Sequence, residues 1–235
     1  MASEPDQLAP NHVPHVGAAL VLLPIGATFG YYVLPIPLRE QLLIQLAPQL
    51  LAYMGFGLWA TRVSHAQAQL GLGRKKIWDG FRWGVMTGLL LGSLNTWIIL
   101  AVYPAFGYDI TFLKHTPHGR LPILLMMPWV ICGIALFVEL NFRGFLLGRL
   151  AELESHWRGV ESSRRLTPVA LAVSAVTFTF DPFLVNTFQH LHWIALWDGL
   201  IWGSIWLRTR NLYITIVAHA IEVMVMYGAV KSAIG

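Results

Sequence analysis

Glu139 and Arg143 stand four residues apart inside the apolar run "FVELNFRGFLLGRL", residues 137–150. On a helix that spacing puts both side chains on one face, where they can pair directly. Four more ionisable groups lie in or beside apolar stretches: Asp181, Asp198, His219 and Glu222. His219 and Glu222, three residues apart, also share a helical face. A charge at the centre of a bilayer costs about 2.5–3.5 kcal/mol on insertion scales, so these groups are expected to face the protein interior and one another. Carboxylates beside a histidine suit three kinds of chemistry: activating a water, holding a divalent metal ion, or relaying protons. The same residues serve equally well as a buried ion pair and a hydrogen-bonded core histidine.

The elements that must position them are apolar helices. Of 235 residues 56% are apolar and 12% charged, against roughly 25% charged in soluble domains. Mean hydropathy is +0.58, and the apolar runs reach the roughly 17–25 residues needed to cross a bilayer. The fold class is therefore all-α, a polytopic transmembrane helix bundle. About seven transmembrane helices are predicted, over 16–34, 41–61, 84–104, 121–148, 167–185, 192–207 and 212–231. Residues 1–15 read as a polar N-terminal tail without the basic region of a secretory signal, and 16–235 as a single domain. A lone Cys132 within an apolar run excludes a disulfide framework and a cysteine zinc site.

Basic residues cluster in short loops, which points to membrane topology and away from nucleic acid. Arg62, Arg74, Lys75, Lys76, Arg82, Arg149, Arg158, Arg164, Arg165, Arg208 and Arg210 fall on one side of a seven-helix arrangement. Only Arg39, Lys114, Arg120 and Lys231 fall on the other. The rich side is expected to be cytoplasmic, with the N-terminus on it. Glu139 precedes Arg149 by ten residues and His219 follows Arg210 by nine. At 1.5 Å per residue these are depths of roughly 15 and 13 Å from the same side, so the two side chains are expected to meet.

Residues 137–150 resemble the CPBP family, the CAAX-processing and bacteriocin-processing intramembrane proteases that include the Abi proteins. The family signature Glu-Glu-x-x-x-Arg appears as Val138-Glu139-Leu140-Asn141-Phe142-Arg143, followed by Gly144. "IWGSIWLRTRNLYITIVAHAIEV", residues 201–223, is similar to the family's Gly-rich helix, turn and His-x-x-x-Asn helix. "LGLGRKKIWDGFRWGVMTGLLLG" is similar to the segment that commonly precedes them. The resemblance implies that the first Glu activates a water, that a His of a Phe-x-x-x-His motif orients it, and that the last His and Asn stabilise the oxyanion. Carried over by position, the first Glu falls on Val138, the second on Glu139, the last His on His219 and the Asn on Val223. The middle His falls on Asp181 or Pro182, while "FQHLH", residues 188–192, spells the motif in a less suitable place. A valine accepts no proton, and a lost oxyanion donor costs roughly 10²–10³-fold in rate.

Three functions follow as alternatives. The first is a catalytically degenerate homologue, a binding or assembly subunit of a larger membrane complex in contact with lipid or pigment. Trp193 and Trp197, and Trp202 and Trp206, form helical pairs suited to packing a partner helix, lipid, carotenoid or tetrapyrrole. His190, His192 or His219 would ligate a pigment metal. The second is an active endopeptidase cleaving membrane or prenylated substrates, with Glu139 or Glu222 as base and Asp181 and His219 holding water or a divalent metal. The third is transport or proton relay through Asp181, Asp198 and Glu222, although no inverted repeat is visible. The expected location is the plasma membrane or an internal membrane of a prokaryote.

Overall fold

The computed structural model describes residues 14–159 and 167–234, and among these every regular element is helical. The polar tail therefore lies almost wholly outside the described residues, as do Arg164 and Arg165. Seven helices make the bundle: α1 (Pro14–Tyr31), α2 (Leu42–Arg62), α3 (Ile77–Trp97), α4 (Ile123–Trp157), α5 (Pro168–Thr179), α6 (Ile194–Thr209) and α7 (Leu212–Ile234). All seven predicted segments are helical among the described residues, and by length and apolar composition four or five spans qualify. Four stretches are long and apolar enough to span alone: α2, the Ala66–Ala105 stretch containing α3, α4 and α7. A fifth is reached only if Pro168–Thr179 and Pro182–Thr209, bent by 51° at the break between them, are taken as one span.

That break has a local cause. Proline disfavours the helical conformation in the residue before it, and Asp181 accordingly sits at φ −55°, ψ 126° ahead of Pro182. The chain then forms a short helix, Pro182–Phe188, and turns at Gln189, whose φ is 48°. α6 runs back along α5, with Gly199 seated on Ala175 and Gly203 on Leu171. At 12 and 16 residues, α5 and α6 fall short of the roughly 20 residues that span a bilayer alone.

α3 carries glycine at every fourth position: Gly80, Gly84, Gly88 and Gly92. This small-xxx-small stripe lets two backbones approach closely, the commonest way helices adhere where lipid removes the hydrophobic drive. α7 fills the stripe with Tyr213, Val217, Ala218, Ile221 and Glu222. A methyl group at Gly84 would stand 2.6 Å from the Cβ of Val217, and one at Gly88 2.6 Å from the carbonyl oxygen of Ala218. α7 is thus fixed in depth and rotation before any polar contact is considered.

α4 is the central helix, packed against α1, α2, α5, α6 and α7. It runs nine residues beyond the predicted end, because Arg149–Glu152 and Arg158–Glu154 pair along its polar last turns. Glu154 also accepts the backbone N–H of Ala170 at 2.7 Å, satisfying one free donor at the start of α5. Large apolar side chains face outward, with Leu124 87%, Trp129 72% and Leu90 66% exposed. An exposed apolar shell around buried charges is the inverse of a water-soluble domain and is the surface a bilayer covers.

Candidate functional site

Through Leu140–Leu147 the helix α4 takes π-helical hydrogen bonding, and residues 141–147 are all buried. Such a widened turn re-aims side chains at the cost of regular bonding and recurs at functional sites. Glu139 is 0% and Arg143 1% exposed. Arg143 Nη1 lies 3.2 Å from Glu139 Oε1. His219 Nδ1 stands 3.0 Å from the same oxygen, so α4 and α7 are joined at the level their loop distances indicated. A nitrogen facing a carboxylate oxygen carries the hydrogen and donates it, which fixes the proton on Nδ1.

Aromatic faces complete the enclosure. The guanidinium carbon of Arg143 lies 4.7 Å from the ring centroid of Phe178 on α5 and 5.2 Å from that of Trp202 on α6. Trp202 also stacks on His219, centroids 4.9 Å apart and planes 28° from parallel. Cation–π attraction gains strength where water is excluded, so the two rings take over part of the arginine's solvation. Glu139 and Arg143 of α4, His219 of α7, Phe178 of α5 and Trp202 of α6 therefore form one unit drawn from four helices, in which Glu139 Oε2 and both Arg143 Nη atoms make no hydrogen bond.

A second polar group lies alongside. Asn95 of α3 donates its amide to Glu222 Oε1 at 2.6 Å and to Asp198 Oδ1 at 3.2 Å, and accepts from Trp197 Nε1 at 3.0 Å. Asn95 thereby holds the Asp198 and Glu222 carboxyl groups side by side.

Asp181 belongs to neither group. It caps the short helix Pro182–Phe188 by accepting from Leu184 N at 3.1 Å, and its Oδ1 accepts from Gln49 Nε2 on α2 at 2.9 Å. No hydrogen bond or ion pair joins it to His219 among the described residues, so the two do not form the paired water or metal site considered from the sequence. Among the described residues, no three His, Cys, Asp or Glu side chains are placed to hold a metal ion. His190 stacks on Tyr108, and His192 turns Nδ1 to the Gln189 carbonyl, both away from Glu139.

Val138 packs with the cluster that includes Phe142, Phe145 and Phe178. Val223 packs with the one formed by Met126, Ile131, Ala135 and Ala220. Trp202 and Trp206 are buried core side chains, 2% and 1% exposed, while Trp193 is 44% exposed. Sequence reasoning missed Asn95 and Asn141. Asn95 was visible as the lone amide in "LLLGSLNTWIIL", the kind of intramembrane polar residue that needs a partner.

Residues 120–225 match a family model described as type II CAAX prenyl endopeptidase Rce1-like. No curated protein and no solved structure matches the chain. The matched segment carries Glu139, Arg143, Asp181, Asp198, His219 and Glu222, and the family's members are in general intramembrane endopeptidases. The apolar shell and the enclosed charges mark the chain as an integral membrane protein, and the match makes residues 120–225 similar to the CPBP family.

Proposed function

We propose that this chain is a catalytically degenerate CPBP homologue, a membrane-embedded binding or assembly subunit surrounded by lipid and by other membrane-protein subunits. The single observation that carries this is the commitment of Glu139. Its Oε1 contacts both Arg143 and His219, while the neighbouring position that resembles the family's base is Val138, packed among apolar side chains. A carboxylate tied to a guanidinium and an imidazole is a poor base and a good cross-link. The N-terminus is assigned to the cytoplasmic side of a prokaryotic membrane.

The test is cleavage by purified protein of prenylated CAAX peptides and of a transmembrane reporter, beside an active family member. No turnover is expected, with wild type and Glu139→Gln indistinguishable, and a membrane protein in fixed ratio is expected in a mild detergent extract. Cleavage that disappears in Glu139→Gln and His219→Ala would overturn the assignment.

One observation favours an active enzyme instead: Asp198 of α6 and Glu222, which shares α7 with His219, are held together by the Asn95 amide. Paired carboxyls are competent in acid–base catalysis. Turnover that survives Glu139→Gln but is lost in Asp198→Asn and Glu222→Gln would identify that mechanism.

A further inference from the structure

We propose that Asp181 and Asn141 form a binding site for one small monovalent cation of the size of sodium, separate from the Glu139–Arg143–His219 unit. The two residues line a small cavity with Thr28 of α1 and Thr177 of α5. It has room for about one water-sized occupant. Asp181 is 2% and Asn141 1% exposed. Asp181 Oδ2 and both side-chain atoms of Asn141 have no hydrogen-bond partner in the protein. Thr177 spends its hydroxyl hydrogen on the Val173 carbonyl at 2.7 Å, which leaves its oxygen an acceptor. Carboxylate, amide carbonyl and hydroxyl oxygens are the ligands hard cations prefer.

Charge decides between a cation and a water. The protein groups bonded to Asp181 are the neutral donors Gln49 Nε2 and the backbone N–H groups of Leu184 and Phe183, and among the described residues no ion pair reaches it. A buried carboxylate without a counter-charge is costly, and a water does not neutralise it. A single carboxylate matches one positive charge, whereas calcium takes 6–8 oxygen ligands, commonly with several carboxylates among them. The occupant would hold together α1, α2, α4 and the break after α5, where Tyr32 also bonds the Phe180 carbonyl at 2.8 Å.

The experiment is thermal unfolding of the detergent-purified full chain at constant ionic strength, with sodium chloride replacing choline chloride or potassium chloride. A saturable, sodium-specific rise of about 3–6 °C is expected. Asp181→Asn is expected to abolish it, since Asn keeps the helix cap and the volume but not the charge. A wild type insensitive to sodium means that water or a proton occupies the site, and overturns the proposal. An equal rise in Asp181→Asn overturns it as well, by placing the ion elsewhere. Should Asp181→Asn fail to fold, Asn141→Leu supplies the same comparison.

Discussion

Two carboxylates flank the same π-helical stretch of α4 and are equally removed from water, yet they are compensated differently. Glu139 faces α7 and meets a guanidinium and an imidazole, with two aromatic faces behind them. Asp181 meets the other side of that stretch, across the cavity from Asn141, and is bonded by the Gln49 amide and by the backbone N–H groups of Leu184 and Phe183. The first charge is balanced inside the protein, so its state depends on the fold alone. The second is balanced by neutral donors only, so its state depends on what the surroundings supply. Burial by itself therefore does not say whether an intramembrane acid is a tie or a site; the charge of its partners does.

The largest effect is expected from breaking that balance. Arg143→Met leaves Glu139 buried with His219 as its only ionisable partner and should cost about 3–5 kcal/mol, the usual penalty for stripping one partner from a buried pair. The double variant Glu139→Leu/Arg143→Met should recover most of that loss, because matched removal of both charges is often close to neutral. Denaturant or thermal unfolding in detergent measures both. Equal losses in the single and double variants would show that Arg143 acts through packing on Phe178 and Trp202 and not through charge.

A smaller loss is expected when the charges are left alone and α7 is moved. Gly88→Val pushes on the Ala218 carbonyl, next to His219, and such overpacking costs about 1–3 kcal/mol. It should disturb the Glu139 side while sparing any sodium dependence at Asp181, and melting curves in the two salts separate these outcomes. Loss of the sodium response in this variant would mean the two sides are coupled.

How much of this was legible in the sequence follows from which contacts are local. The Glu139–Arg143 pair was readable because four residues on a helix define a geometry by themselves. His219 was placed at the right level because rise per residue is constant from a loop inward. Asn95 was not found as the partner of Glu222 and Asp198, since a cross-helix neighbour depends on the rotation of two helices, which the glycine stripe of α3 sets. That stripe was itself in plain view at fixed spacing and went unread. The backbone break at Asp181–Pro182 was not legible, because hydropathy continues across it. Asp181 was drawn toward His219 by residue type alone, and the same break explains why it lies elsewhere.

Asp181→Ala should cost about 1 kcal/mol through loss of the helix cap, with a further share from the stranded Gln49 amide. Asp181→Asn should retain most of that stability, since Asn caps as well as Asp. The difference between the two measures the cap, separately from the charge.

The smallest and sharpest effect is expected at Asn141, whose amide has no partner in the protein. Leucine is similar in volume and brings no unsatisfied polar atoms, so in sodium-free buffer Asn141→Leu should lie within about 1 kcal/mol of wild type. In sodium the same substitution removes a cation ligand, and its cost should grow with sodium concentration as the wild type gains. Glu139→Leu/Arg143→Met, each two residues away on the same helix, should show no such dependence on which salt is present. If both variants respond to sodium alike, the two flanks of α4 are one electrostatic unit, and the distinction between an internally balanced acid and an externally balanced one fails. If only Asn141→Leu responds, a single turn of helix separates a structural tie from a binding site, and the difference lies in Arg143.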